Sequence, residues 1–160
     1  MEVPTGLRGS LAVAFPWREL VVQLSDELAD ASLWYLDPPY TRDQYSRFYH
    51  FLETLARGDE PELAHGARYR EDRFKSAFCS SRSAASELRD LFSAIRERSP
   101  RASVLLSYSS RGLLTREELA GAAAGCFELA GFEEIPYSYS TQGKGRVHDV
   151  REWLLSFRPA

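Results

Sequence analysis

Leu33-Trp34-Tyr35-Leu36-Asp37-Pro38-Pro39-Tyr40 sets four apolar or aromatic residues directly before a carboxylate, two prolines and a phenol ring. The four lack polar alternation, which suits a short central strand covered on both faces. The strand should end at Asp37. Proline has no amide proton for a sheet ladder and drives the residue before it out of the helical region, so Asp37-Pro38-Pro39 is expected to be extended and stiff. A strand end held in this way presents the Asp37 carboxylate, the Pro38 carbonyl and the Tyr40 ring at nearly fixed positions, on the carboxyl edge where open α/β sheets place ligands. Without any chemistry, the same residues read as a buried strand followed by a Pro-Pro turn with a structural aspartate.

Two fixed acceptors beside an aromatic plate suit one kind of reaction. An aromatic exocyclic amine, such as that of adenine, is a poor nucleophile because its lone pair is delocalised into the ring. Acceptors placed on its hydrogens draw the nitrogen toward tetrahedral geometry and stabilise the positive charge that grows as it attacks an electrophilic methyl. Stacking on Tyr40 would hold the base in line, so that proximity and electrostatics carry the step without a metal or a covalent intermediate.

Asp37-Pro38-Pro39-Tyr40 resembles the signature of S-adenosylmethionine-dependent amino-methyltransferases, and the longer run from Trp34 to His50 is similar to site-specific DNA adenine methylases. The resemblance implies that Asp37 and Pro38 hold the target amine, that Pro39 fixes the turn and that Tyr40 stacks on a base flipped out of the duplex. It also implies that Asp37 borders the S-adenosylmethionine site and that the partner is DNA. The same four residues occur in enzymes that methylate guanine amines in RNA, which leaves structured RNA as an alternative substrate.

At 160 residues the chain has the length of one domain with a real core. No apolar run reaches the length of a membrane span and the N-terminus lacks a secretion pattern, so the cytoplasm is the expected compartment. Cys79 and Cys126 have neither disulfide nor zinc spacing and read as buried small hydrophobes, and no metal is expected. The net charge of −3 argues against indiscriminate nucleic-acid binding, which needs clustered cations. Those clusters lie in Arg68, Arg70, Arg73, Lys75 and Arg82, opposed by Glu71 and Asp72, within and just beyond a stretch from Arg57 to Lys75 that Gly58, Pro61 and Gly66 mark as a loop. It reads either as a phosphate-contacting strip beside the site or as a solvated loop.

Around this centre the periodicity places further elements. Pro16 to Ala31 fits an amphipathic helix through Leu20, Leu24 and Leu28, with a short strand at Leu20 to Leu24 as the alternative. Tyr45, Phe48, Tyr49, Leu52 and Leu55 recur at helical steps, giving a helix from about Gln44 to Ala56 with a buried aromatic face. Tyr45 and Tyr49 are near enough to Tyr40 to line the same pocket. A helix from Ala84 to Arg98 should bury Leu88, Leu91, Phe92 and Ile95 and stop at Pro100. Ala102 to Tyr108 then forms a second central strand, parallel to the first through a right-handed crossover, and Ser107, Tyr108 and Ser109 could bring hydroxyls to the pocket mouth. Thr115 and Glu118 form a capping box for a helix of about Arg116 to Ala130, ended by Gly131, with Gly121 and Gly125 packing it closely on the sheet. Glu133 to Ser140 and Val150 to Phe157 read as antiparallel strands around a flexible Gly-Lys-Gly loop, in which Lys144, Arg146 and His148 would carry charge toward DNA.

The expected architecture is therefore a single α/β domain over residues 1–160, a partial Rossmann-like methyltransferase sheet with parallel central strands, a C-terminal antiparallel pair and flanking helices. The resemblance also implies a glycine-rich turn after a first strand, followed by an acidic residue for the ribose of S-adenosylmethionine. None of the glycines stands in such a place. A fragment of a longer enzyme, a subunit completed by a separate cofactor-binding half, and a non-catalytic binding remnant all fit that pattern.

Overall fold

The computed structural model describes residues 16–42, 49–64, 66, 69–72, 76–141 and 145–160. Helices α1 (Trp17–Gln23) and α2 (Ser25–Ala29) lead into β1 (Leu33–Leu36). Then come α3 (His50–Arg57), a small hairpin of β2 (Leu63–Ala64) and β3 (Tyr69–Arg70), a 3-10 turn at Ala77–Cys79 and α4 (Ala84–Arg98). The chain continues through β4 (Ser103–Ser109), α5 (Arg116–Ala123), β5 (Phe127–Thr141) and β6 (Gly145–Pro159). This is a mixed α/β fold around one four-stranded sheet in the order β1-β4-β6-β5.

The parallel pair arises as the sequence requires. Leu33 to Leu36 align with Ser103 to Leu106, and α4 makes the crossover between them. Its apolar residues recur every three or four positions, so Ala84, Leu88, Leu91, Phe92 and Ile95 turn inward together. Phe92 is fully buried and meets the rings of Phe157 at 5.1 Å and Phe127 at 5.6 Å. Leu106, Val104, Leu119 and Leu155 complete this core. The strands β4 and β6 pair antiparallel, as do β6 and β5.

Several expectations need correction. The helix read over Pro16 to Ala31 is two short helices, broken at Leu24, whose φ of −110° and ψ of 32° lie outside the helical range. The strand β1 is not covered on both faces: Leu36 is buried, whereas Leu33 and Tyr35, which point the other way, are 57% and 59% exposed. β1 is the edge strand of the described sheet. Helix α3 covers His50–Arg57 of the helix expected from Gln44 to Ala56, whose first part, with Tyr45 and Phe48, lies outside the described residues; the described part of the stripe is not buried, with Tyr49, Leu52 and Leu55 open to solvent. The stripe is amphipathic by spacing, but no described element covers it.

At the other end, α5 stops at Ala123, seven residues short of expectation. Gly125 at φ 85° turns the chain, and Phe127 buries its ring in the core while pairing with Pro159. Strand pairing and ring burial override the helix-favouring alanines before them. Gly131, expected as a helix stop, lies instead in β5 beside a register shift, where a Cβ would stand 2.8 Å from the Ser156 hydroxyl. Gly121 does not mediate close packing, since a Cβ there would meet nothing within 4 Å. Ala122 and Ala123 supply the small buried surface.

The C-terminal strands are longer than expected and leave a shorter turn. Pairing runs outward to Thr141 and Gly145, and Lys144 lies outside the described residues. The capping box is present in both directions, Glu118 N–H to Thr115 Oγ1 at 3.2 Å and Thr115 N–H to Glu118 Oε2 at 2.8 Å. Thr115→Ala should therefore lower stability by about 1 kcal/mol, read as a shifted urea midpoint with an unchanged slope.

Candidate functional site

Because β1 and β4 run parallel, their carboxyl ends fall on one edge, and Asp37 follows β1 there directly. Leu36 and Pro38 are buried and anchor the corner, while Asp37 between them is exposed. Pro39 and Tyr40 are half-buried. Alternation along extended backbone explains this, since successive side chains point to opposite sides. The corner is thus held from below and open above.

Partial burial raises the Asp37 pKa above its ordinary value. The sign matters for stability. The folded chain holds a proton on Asp37 up to a higher pH than the unfolded chain does, so stability falls as pH rises from the unfolded value through the folded one. The ionised carboxylate is accordingly a group that the fold tolerates rather than one that holds it together.

Tyr40 is tied to the far side of the edge. Its carbonyl accepts a hydrogen bond from the Leu113 amide at 2.8 Å, and its ring meets that of Tyr108 edge-on, with centroids 5.8 Å apart and planes at 66°. Tyr108, next to last in β4, is 2% exposed, and burial raises its pKa against the opposing pull of the Leu114 and Leu113 amides. Gly112, between β4 and α5, packs on it: a Cβ there would lie 2.2 Å from Tyr108 Cε1. Sequence reasoning missed this bracket. Its one signal was a lone glycine between a strand and a capped helix.

The hydroxyls expected at a pocket mouth are not available there. Ser107 and Ser109 are both buried, and Ser107 donates to Glu152 Oε1 at 2.5 Å. Ser110 Oγ accepts from the Arg151 amide at 3.0 Å, which locks the end of β4 to β6. Cys79 and Cys126 are not joined in a disulfide and are half-buried rather than buried.

Of the residues expected to meet the substrate, Tyr45, Arg68, Arg73 and Lys75 lie outside the described residues, and Tyr49 is exposed where α3 begins. Arg70 differs from expectation. It is 2% exposed, and its guanidinium forks onto Asp59 at 2.6 and 2.7 Å and onto Asp72 at 2.9 and 3.0 Å. A further bond to Thr54 Oγ1 at 3.3 Å ties the hairpin to α3. Arginine's planar fork matches two carboxylates as well as it matches phosphate, so Arg70 serves here as an internal clamp in place of an open phosphate contact.

That clamp has a pH signature. The hydrogen bonds from Arg70 hold both the Asp59 and the Asp72 carboxyls below their usual value. Groups with lowered folded pKa contribute stability above their unfolded value and lose it as pH falls through the folded one. Amide protection in β2 and β3, taken relative to the intrinsic exchange rate at each pH, is therefore expected to fall below about pH 4, earlier than in the sheet, as measured by hydrogen exchange with mass spectrometry.

S-adenosylmethionine is the cofactor that the sequence resemblance implies. Gly58, Gly66 and Gly125 turn the chain at positive φ away from any strand-to-helix junction, and the space beside Gly112 is filled by the Tyr108 ring. Among the described residues, no glycine cradle fits that cofactor.

Comparison with known proteins finds a family and several relatives. The family model for D12 class N6 adenine-specific DNA methyltransferase matches residues 21–104, which include β1, Asp37 to Tyr40, α4 and the start of β4. The modification methylase LlaI of Lactococcus lactis subsp. lactis is 32% identical over 98% of this chain and 26% of its own length. The type II methyltransferase M.FokI of Planomicrobium okeanokoites is 34% identical over 76% of the chain and 19% of its own. The modification methylase StsI of Streptococcus sanguinis is 28% identical over 78% and 19%. The chain thus spans about a quarter of the length of the LlaI methylase and less of the other two. No solved structure shows a significant match. With the matched region covering more than half of the 160 residues and including the Asp-Pro-Pro-Tyr corner, the chain belongs to the D12 class N6 adenine-specific DNA methyltransferase family.

Proposed function

We propose that this chain forms the acceptor-holding part of a site-specific enzyme that methylates the exocyclic amine of adenine in DNA, as part of a restriction-modification system in the cytoplasm. The carrying observation is an exposed Asp37 carboxylate seated between buried Leu36 and Pro38 at the carboxyl edge of a parallel strand pair. Asp37 and the Pro38 carbonyl accept the two amine hydrogens, Pro39 fixes the turn, and Tyr40 stacks on the flipped base. Accepting both hydrogens draws electron density toward the nitrogen lone pair, and the Asp37 charge stabilises the cation that forms on it. S-adenosylmethionine is the expected methyl donor, with Asp37 at the border of its site. The glycine cradle for the donor comes from residues outside those described, in the same protein or in another subunit. On this reading the sheet is part of a Rossmann-like methyltransferase sheet.

The test is expression of the protein that carries this chain in a host devoid of adenine methylation, followed by long-read detection of modified bases. The expected result is N6-methyladenine at one recurrent sequence, absent when Asp37→Ala is expressed. Host DNA without methyladenine, together with labelled methyl in structured RNA, would replace the DNA reading with the RNA one.

A further inference from the structure

We propose that Tyr108 is a positioning residue for the Tyr40 ring, and that Gly112 lacks a side chain because Tyr108 must occupy that space. The proposal rests on Tyr40 being the plate on which the target base stacks. Two prolines fix the backbone up to Tyr40, but they leave its side-chain torsions free. A stacking plate needs its ring plane fixed as well. The Tyr40 ring meets Tyr108 edge to face, with centroids 5.8 Å apart and planes at 66°. Aromatic quadrupoles favour that arrangement over other orientations.

The hydroxyl of Tyr108 does not explain its presence. It is buried beside the Leu113 and Leu114 amides yet completes no hydrogen bond of normal geometry among the described residues, a cost that phenylalanine would avoid. What the ring does is span from Gly112 to Tyr40. Its Cε1 and Cζ lie 2.2 and 2.9 Å from where a Gly112 Cβ would stand, and the Ser109 carbonyl closes the third side at 3.0 Å. No left-handed backbone is required at Gly112, so the constraint on that residue is space alone. The next residue, Leu113, bonds the Tyr40 carbonyl. Tyr40 is therefore held twice, through its backbone by Leu113 in the loop after β4 and through its ring by Tyr108 of β4.

The test reads the Tyr40 rotamer directly, from three-bond couplings to its Cγ in this chain, with thermal midpoints measured on the same samples. Wild type and Tyr108→Phe should show a single rotamer. Tyr108→Leu, which keeps a buried apolar side chain but no ring, should show averaged couplings while still folded, and Gly112→Ala should do the same by pushing the ring aside. If the leucine variant does not fold, the alanine variant still reads the same contact. In a methylation-competent protein, Tyr108→Leu should lower kcat roughly two- to tenfold, the range of an aromatic pair contact, with KM for S-adenosylmethionine unchanged. A single, unchanged Tyr40 rotamer in Tyr108→Leu or in Gly112→Ala overturns the proposal. The stacking role is tested separately: full methylation by Tyr40→Ala would remove that role and leave the rotamer result intact.

Discussion

Asp37→Ala is expected to lower the rate of methyl transfer by about 10²–10³-fold, the loss found when one preorganised group that stabilises developing charge is removed. The argument rests on position. Asp37 lies exposed at a strand end fixed by two prolines, with buried residues on both sides, so its carboxylate needs little reorganisation to meet an amine. Alanine takes away both the acceptor and the charge. Asp37→Asn keeps an acceptor oxygen without the charge and should lose less. The loss should appear in kcat, because charge on the nitrogen develops only as the methyl bond forms. Neither variant should reduce stability through this carboxylate at neutral pH, since the raised pKa marks a group whose ionised form the fold disfavours. For the same reason the acid limb of the wild-type rate profile should be displaced upward from the ordinary aspartate value, and activity should fall as pH drops through it. Single-turnover methylation across pH, with thermal midpoints for each variant, measures all of this. A variant that methylates normally would show that Asp37 holds no amine.

The largest effect on stability is expected from Phe92→Ala. Phe92 is fully buried where α4 crosses the sheet, and its ring touches Phe127 at the start of β5 and Phe157 near the end of β6. Truncation removes buried apolar surface and leaves a cavity that three separate elements would have to close. Changes of this kind cost about 3–5 kcal/mol, a large share of the 5–15 kcal/mol typical of a domain. A fall in thermal midpoint of roughly 10 °C follows for a chain of this size. Urea titration of Phe92→Ala and Phe92→Leu would check the cause, because the leucine refills much of the space and should cost clearly less. Equal losses in the two variants would point to the ring contacts rather than to volume.

How much of this was legible in the sequence depended on whether the signal was local. Helix α4 was read to its end residues, because its apolar spacing, its polar outer face and Pro100 all act within a few positions of one another. The capping box was read because its two partners are three residues apart. The corner at Asp37 was read because proline restricts its own backbone and that of the residue before it. Where long-range pairing competed with local preference, the reading failed. The alanines after Thr115 favour helix, yet Phe127 is drawn into the core and Pro159 pairs with it, and α5 ends early.

The site divides in the same way. The amino-acid sequence by itself determined the strand, the stiff turn and the order of carboxylate, carbonyl and ring, since each follows from bonds and sterics within eight residues. Only the tertiary structure decided what surrounds them. It brought Tyr108 and Gly112, some seventy residues away, against Tyr40, and it committed Arg70 to Asp59 and Asp72 instead of leaving it open. The reason is physical: a side chain's partners depend on which distant segments the core brings together, and a charge or a ring in the sequence carries no record of them.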